Sequence, residues 1–186
     1  MTNDQPQPLR GRIASITVRG FRSLAKVEDL QLPQLVVLIG ANGSGKSNLI
    51  RFFQMLGWML RGQNLQEFVL RQGGGDDQLF MGARTTPRLD AEIHIETRAG
   101  RNDYRFALSH VAGDTLMLVD EAYRFSAWDG DGLNQWHTLT MPAKEASIAD
   151  QMDTDPTARV IVRLLRSCPL CQDRCRLLFE EWTTHD

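Results

Sequence analysis

Residues Gly40-Ala41-Asn42-Gly43-Ser44-Gly45-Lys46-Ser47 fill every fixed position of the pattern G-x-x-x-x-G-K-S. Few backbones accommodate this pattern. The glycines let the chain wrap tightly, so that successive N–H groups converge on one point. A lysine and a hydroxyl follow at the start of a helix, whose dipole adds positive potential there. Together these features suit a phosphate group. Lys46 reaches the β- and γ-phosphates, and the Ser47 hydroxyl ligates Mg²⁺. The cofactors expected are therefore ATP and Mg²⁺, held by Gly40, Ala41, Asn42, Gly43, Ser44, Gly45, Lys46 and Ser47, with Lys46 also the catalytic charge.

The flanks agree. Leu35-Val36-Val37-Leu38-Ile39 is an unbroken apolar run, which predicts a buried parallel strand. After the loop, Leu49, Phe52, Phe53, Leu56 and Leu60 recur at helical spacing. With 186 residues the chain can bury one real core, and a net charge of −2 does not require a nucleic-acid partner. No apolar run approaches the ~20 residues of a bilayer span. Met1 to Pro8 lacks a secretory apolar core, and three cysteines argue against a disulfide framework. The cytoplasm, with no membrane partner, is the expectation.

Along the chain, residues 1–11 read as a flexible leader. Strands are expected at Ile13–Val18 and at Ala25–Leu32, which Pro33 ends. Asn64–Leu70 reads as a helix stopped by Gly73-Gly74-Gly75. From Asp90 the period becomes two, through Ala91, Ile93 and Ile95 and then Tyr104, Phe106 and Leu108. A turn at Gly113-Asp114 and further strands at 115–126 and 134–139 complete an antiparallel meander over about 90–140. Ala143–Met152 and Thr157–Ser167 read as helices, with Asp155-Pro156 starting the second.

Four stretches resemble the N-terminal lobe of the ABC-type heads of SMC, RecF and OLD-like AAA-family ATPases. Ile16 to Leu24 resembles that family's first strand and its F-[KR]-S turn, and Val36 to Gly40 its strand before the loop. Ala41 to Leu49 is close to its NGSGKSNLL loop, and the meander resembles its antiparallel subdomain. The resemblance implies an α/β fold: a P-loop NTPase N-terminal lobe with a mixed sheet, the phosphate-loop helix and an antiparallel β-subdomain. It implies a lobe over 12–167 and an atypical tail over 168–186. It also implies ATP held between two protomers, a homodimer or a missing C-terminal lobe as partner, possible contact with DNA, and work in DNA repair or in defence against foreign DNA. No serine-glycine signature of the LSGGQ kind occurs in this sequence, so hydrolysis is expected only once a second lobe or partner completes the site.

Leu116-Met117-Leu118-Val119-Asp120-Glu121 resembles a Walker B strand, in which Asp120 would hold Mg²⁺ and Glu121 would position water. That reading would give a small stand-alone NTPase. Against it, Met117, Val119, Tyr123 and Phe125 continue one strand face past the acids, and the strand pairs naturally with Tyr104–His110. A hairpin strand with two charged residues is the competing reading. A non-catalytic nucleotide-binding module completed by a partner is a third.

Cys168-Pro169-Leu170-Cys171 is a C-x-x-C with Cys175 beyond, too few ligands for a structural zinc site, and reads as free thiols. Glu92, His94 and Glu96 share a strand face and read as solvated. Asp129-Gly130-Asp131-Gly132 reads as a hairpin turn, and Trp58, Trp128, Trp136 and Trp182 as core or interface residues. Arg19 and Arg22 are open between phosphate or DNA contacts and ordinary surface arginines. Gln72 and Gln78 are candidates for a glutamine that senses the γ-phosphate.

Overall fold

The computed structural model describes residues 11–61, 64–130, 134–139 and 141–171. Six strands form one sheet: β1 (Gly11–Phe21), β2 (Leu24–Gln31), β3 (Arg88–Thr97), β4 (Gly100–Val111), β5 (Thr115–Ala127) and β6 (His137–Thr138), in the spatial order β2-β1-β3-β4-β5-β6. Every pairing among the described strands is antiparallel. β1 already includes Gly11, one residue inside the expected leader. The meander is not a separate body, because β3 hydrogen-bonds along the length of β1.

Three helices cover one face. α1 (Lys46–Leu60) lays Phe52, Phe53, Met55, Leu56 and Leu60 onto Ile16, Val18, Ile93, Tyr104 and Phe106 of the sheet. Phe52 stacks on Phe106 with ring centroids 6.4 Å apart. Each of these side chains is essentially dry, and burial of one such group contributes about 1.5–3 kcal/mol. α2 (Leu65–Arg71) starts where the Asn64 side chain accepts from the Gln66 and Glu67 amides. α3 (Pro156–Ser167) starts at Asp155, whose carboxylate accepts from Thr157 and Ala158, with proline in the first turn as expected.

Three expectations need correction. Leu35–Ile39 forms no strand and pairs with nothing in the sheet. It lies on the surface without regular structure, with Val37 69% and Ile39 91% exposed, while Val36 and Leu38 are more covered. Its apolar character calls for a covering surface, which the six strands of the sheet do not supply. Ala143–Met152 is not an α-helix; only Ser147–Gln151 turns, as a 3-10 helix. The strand expected over 134–139 shrinks to the two residues of β6.

The outer sheet face is polar. Asp103 lies fully covered between Arg101, Arg124 and His94, with Arg124 Nε at 2.7 Å and His94 Nδ1 at 2.7 Å. Trp136 is clasped by Arg105 and Arg124, whose guanidinium carbons sit 4.5 and 4.3 Å from its ring centre. Trp58 packs on Phe68 in the core, and Trp128 donates to the Thr97 carbonyl at 3.0 Å from an exposed position. Trp182, Cys175 and Asp131-Gly132 lie outside the described residues.

Candidate functional site

Residues 40–45 form a loop that leads into the N-terminus of α1, which begins at Lys46. Gly43 (φ +83°) and Gly45 (φ +93°) take left-handed conformations that a side chain would strain. Lys46 Nζ sits at the loop's centre, donating to the carbonyls of Gly40 at 2.6 Å and Ala41 at 2.8 Å and to Ser44 Oγ at 3.1 Å. The Ser47 residue is exposed in the first turn. No side chain caps this helix and no acid lies in its first turn, unlike α2 and α3, each capped by a side chain. The first-turn amides are thus left to an anion, which suits a phosphate.

The turn between β1 and β2 buttresses the loop. Ser23 Oγ accepts from Asn48 Nδ2 at 2.8 Å. Leu24 and Ser23 approach so closely that a Cβ on Gly45 would meet them at 3.1 and 3.3 Å. The F-[KR]-S turn therefore sets the position of the loop through packing.

The two arginines divide. Arg19 pairs with Glu28 at 2.7 Å, both about half exposed, as a surface ion pair. Arg22 is drawn inward: it donates to the Gln72 carbonyl at 2.7 Å and to Gln78 Oε1 at 3.2 Å. Burial lowers its pKa, as does the nearby Arg51. Gln78 is wholly buried, and its amide donates to the Gln72 and Gly74 carbonyls, both at 3.0 Å. With its oxygen on Arg22 and its amide on two carbonyls, Gln78 ties the turn to the end of α2. It has no group left to sense a phosphate.

The acid pair does not assemble a metal site. β5 continues to Ala127, past both acids. A bulge lets Leu108 face Leu118 and Ala107 face Asp120, so that Val119 has no partner and the alternation changes phase. Glu121 and Tyr123 therefore share the inner face with Phe106, Leu116 and Leu118, whereas unbroken alternation from Leu118 would have turned Glu121 to the other side. Contrary to expectation, Met117 and Tyr123 do not lie on one face. Its buried carboxylate accepts from Tyr104 Oη at 2.8 Å, Ser147 N at 2.8 Å and Ile148 N at 3.2 Å. Burial raises its pKa, with these three donors opposing, and pushes the Tyr104 phenol up as well. Asp120 sits on the opposite face, 3.5 Å from Arg105. Two carboxylates on opposite sides of a sheet cannot share one metal and one water. Glu92, His94 and Glu96 are likewise engaged: His94 with Asp103, and Glu96 with Arg12 at 2.6 Å. No group of three potential metal ligands occurs among the described residues.

The family profile described as "AAA domain, putative AbiEii toxin, Type IV TA system" matches residues 35–131, just over half of the chain. The chain belongs to this family. Its relatives include the Chromosome partition protein Smc of Mycolicibacterium paratuberculosis, 30% identical over 115 residues, 61% of this chain and 9% of that protein. They also include the DNA replication and repair protein RecF of Anaeromyxobacter dehalogenans strain 2CP-C, 31% identical over 159 residues, 72% of this chain and 41% of that protein. RecF of Anaeromyxobacter sp. strain Fw109-5 is 42% identical over 91 residues, 48% of this chain and 24% of that protein. This AAA domain is the N-terminal lobe of an SMC/RecF-like, ABC-type ATPase head, and it spans well under half the length of these relatives. No described helix is long and apolar enough to cross a membrane.

Proposed function

We propose that Gly40–Ser47 bind Mg·ATP, that Lys46 steadies the phosphate charge, and that Ser47 ligates Mg²⁺. When bound, the metal and triphosphate supply the electrophilic phosphorus and its charge neutralisation. This chain's own residues hold and orient them. Hydrolysis then awaits a second lobe, from the same polypeptide, a homodimeric partner or a separate protein, working in the cytoplasm in DNA repair or in defence against foreign DNA.

One observation carries the reading. Directly before the loop, Leu35–Ile39 lies outside the sheet with its apolar side chains exposed to water. An isolated enzyme gains nothing from such a run, whereas a half-head gains a seam along which further strands pair and cover it. The missing acidic partner agrees, since Asp120 and Glu121 are committed elsewhere. The same geometry disfavours a stand-alone NTPase built on those acids.

The test is calorimetry with Mg·ATP on the folded chain, paired with a turnover assay. Binding that Lys46→Ala removes, with negligible turnover by the chain alone, is the expected result. No binding heat would sink the nucleotide reading. Lys46-dependent turnover by the isolated chain would sink the requirement for a partner.

A further inference from the structure

Far from the phosphate loop, the C-x-x-C closes α3. Cys168 caps the helix, and Pro169–Cys171 make one 3-10 turn in which Cys171 N donates to the Cys168 carbonyl at 3.0 Å. A turn closed in this way holds its end Cα atoms within about 7 Å, close to the span a disulfide requires. Both thiols belong to this one turn. Their surroundings differ. Cys171 is buried, its carbonyl oxygen pressed onto Gly57 of α1, while Cys168 is partly open to solvent.

We propose that Cys168 and Cys171 form a redox-active dithiol that exchanges with low-molecular-weight disulfides, Cys168 attacking and Cys171 resolving. The Cys168 thiolate attacks one sulfur of the external disulfide and expels the other half as a thiolate. Cys171 then gives up its proton to solvent, attacks the Cys168 sulfur and releases the second half as a thiol. The net change is two protein thiols plus one disulfide to one protein disulfide plus two small thiols. Two electrons pass from the protein to the external disulfide.

The local chemistry favours this division of roles. The Cys171 thiol, the Leu170 and Cys171 amides and the Arg61 charge all stabilise a Cys168 thiolate, bringing its pKa to about 6 against the cost of burial. The same pairing, with burial, pushes Cys171 up. An accessible thiolate beside a buried thiol is the arrangement that ordered exchange needs.

The test uses the full chain incubated with oxidised glutathione, alkylated and cut with trypsin. One tryptic fragment, Ser167 to Arg174, carries both sulfurs, while Cys175 leaves in another. That fragment should lose two hydrogens and resist alkylation. In the reduced protein, limiting alkylator should label Cys168 at least about tenfold faster than Cys171. Cys171→Ser should trap glutathione on Cys168; if that variant does not fold, the wild-type labelling order still decides. A disulfide to Cys175, equal labelling of the two thiols, or a fragment that stays fully alkylatable would each overturn the proposal.

Discussion

Replacing Glu121 by glutamine separates a catalytic acid from a structural one. Glutamine keeps the shape and removes the charge. In the protein, Oε1 takes Tyr104 Oη and Ile148 N, and Oε2 takes Ser147 N. Whichever way the new amide turns, its NH₂ confronts a backbone N–H, at 2.8 Å from Ser147 or 3.2 Å from Ile148. A buried donor stranded in this way costs about 1–3 kcal/mol. The loss is partly offset, because the variant no longer buries a charge, the effect that raises the wild-type pKa. The net expectation is a destabilisation of about 1–2 kcal/mol. Glu121→Leu strands all three donors and should cost about 3 kcal/mol or more, a large share of a typical domain's stability. Urea denaturation followed by fluorescence measures both. Tyr104→Phe should show strong coupling to Glu121→Gln in a double-mutant cycle. An unchanged urea midpoint for Glu121→Gln, together with loss of ATP turnover in a completed head, would refute the structural assignment.

Gly57→Ala should lower the melting temperature, although alanine ordinarily gains about 1 kcal/mol over glycine inside a helix. Its Cβ would collide with the Cys171 carbonyl oxygen and lie 3.0 Å from that carbonyl carbon, overpacking that costs about 1–3 kcal/mol; a raised melting temperature would refute the contact. Asp103, held down to about 2 against burial by its hydrogen bonds to His94, Arg101 and Arg124, contributes about 2 kcal/mol. A depressed carboxylate pKa means this stability is fully present above its ordinary 3.8 and is lost as pH falls toward 2. Acid urea titrations of Asp103→Asn should lack that part of the loss. Glu121 has the opposite sign: its raised pKa makes its contribution greatest at low pH, lost as pH rises through the folded value. Val37→Lys and Ile39→Lys should leave the urea midpoint within about 0.5 kcal/mol and reduce self-association in light scattering; a large loss of stability would mean that the run is covered within this chain.

The parts of the fold legible in the sequence are those set by short-range chemistry. Asn64 and Asp155 announce their helices because a side-chain oxygen within three residues meets the free amides. The meander is legible because its alternation is local and one face is buried. At Leu35–Ile39 the expectation fails for a physical reason. An apolar run states that a cover is needed and says nothing about which element supplies it. Among the described residues none does, and the same residues that predict burial are among the most exposed apolar residues described.

The site divides in the same way. Gly40–Ser47 were legible because backbone freedom, a lysine and a hydroxyl at fixed spacing encode the loop without reference to the rest of the chain. Ser23 as a buttress was hidden, since it meets Asn48 only through folding. Asp120 and Glu121 mark the limit of pattern reading. Adjacent acids after an apolar run read as a pair, and period-two counting puts Glu121 and Tyr123 on the face of Met117 and Val119, opposite Leu116 and Leu118. A single unpartnered residue, Val119, shifted the phase and turned Glu121 into the core beside Tyr104. Bulges leave no residue signature when the extra residue is an ordinary valine, because the φ and ψ they need are open to most side chains. What could have exposed it is the energy of the outcome: a glutamate on the buried face is tolerable only with donors converging on it. Tyr104 lies on the neighbouring strand, and two free amides open the 3-10 turn at Ser147. Reading an acid pair as catalytic therefore requires first asking whether any phase of its strand offers one of the acids a full set of buried donors.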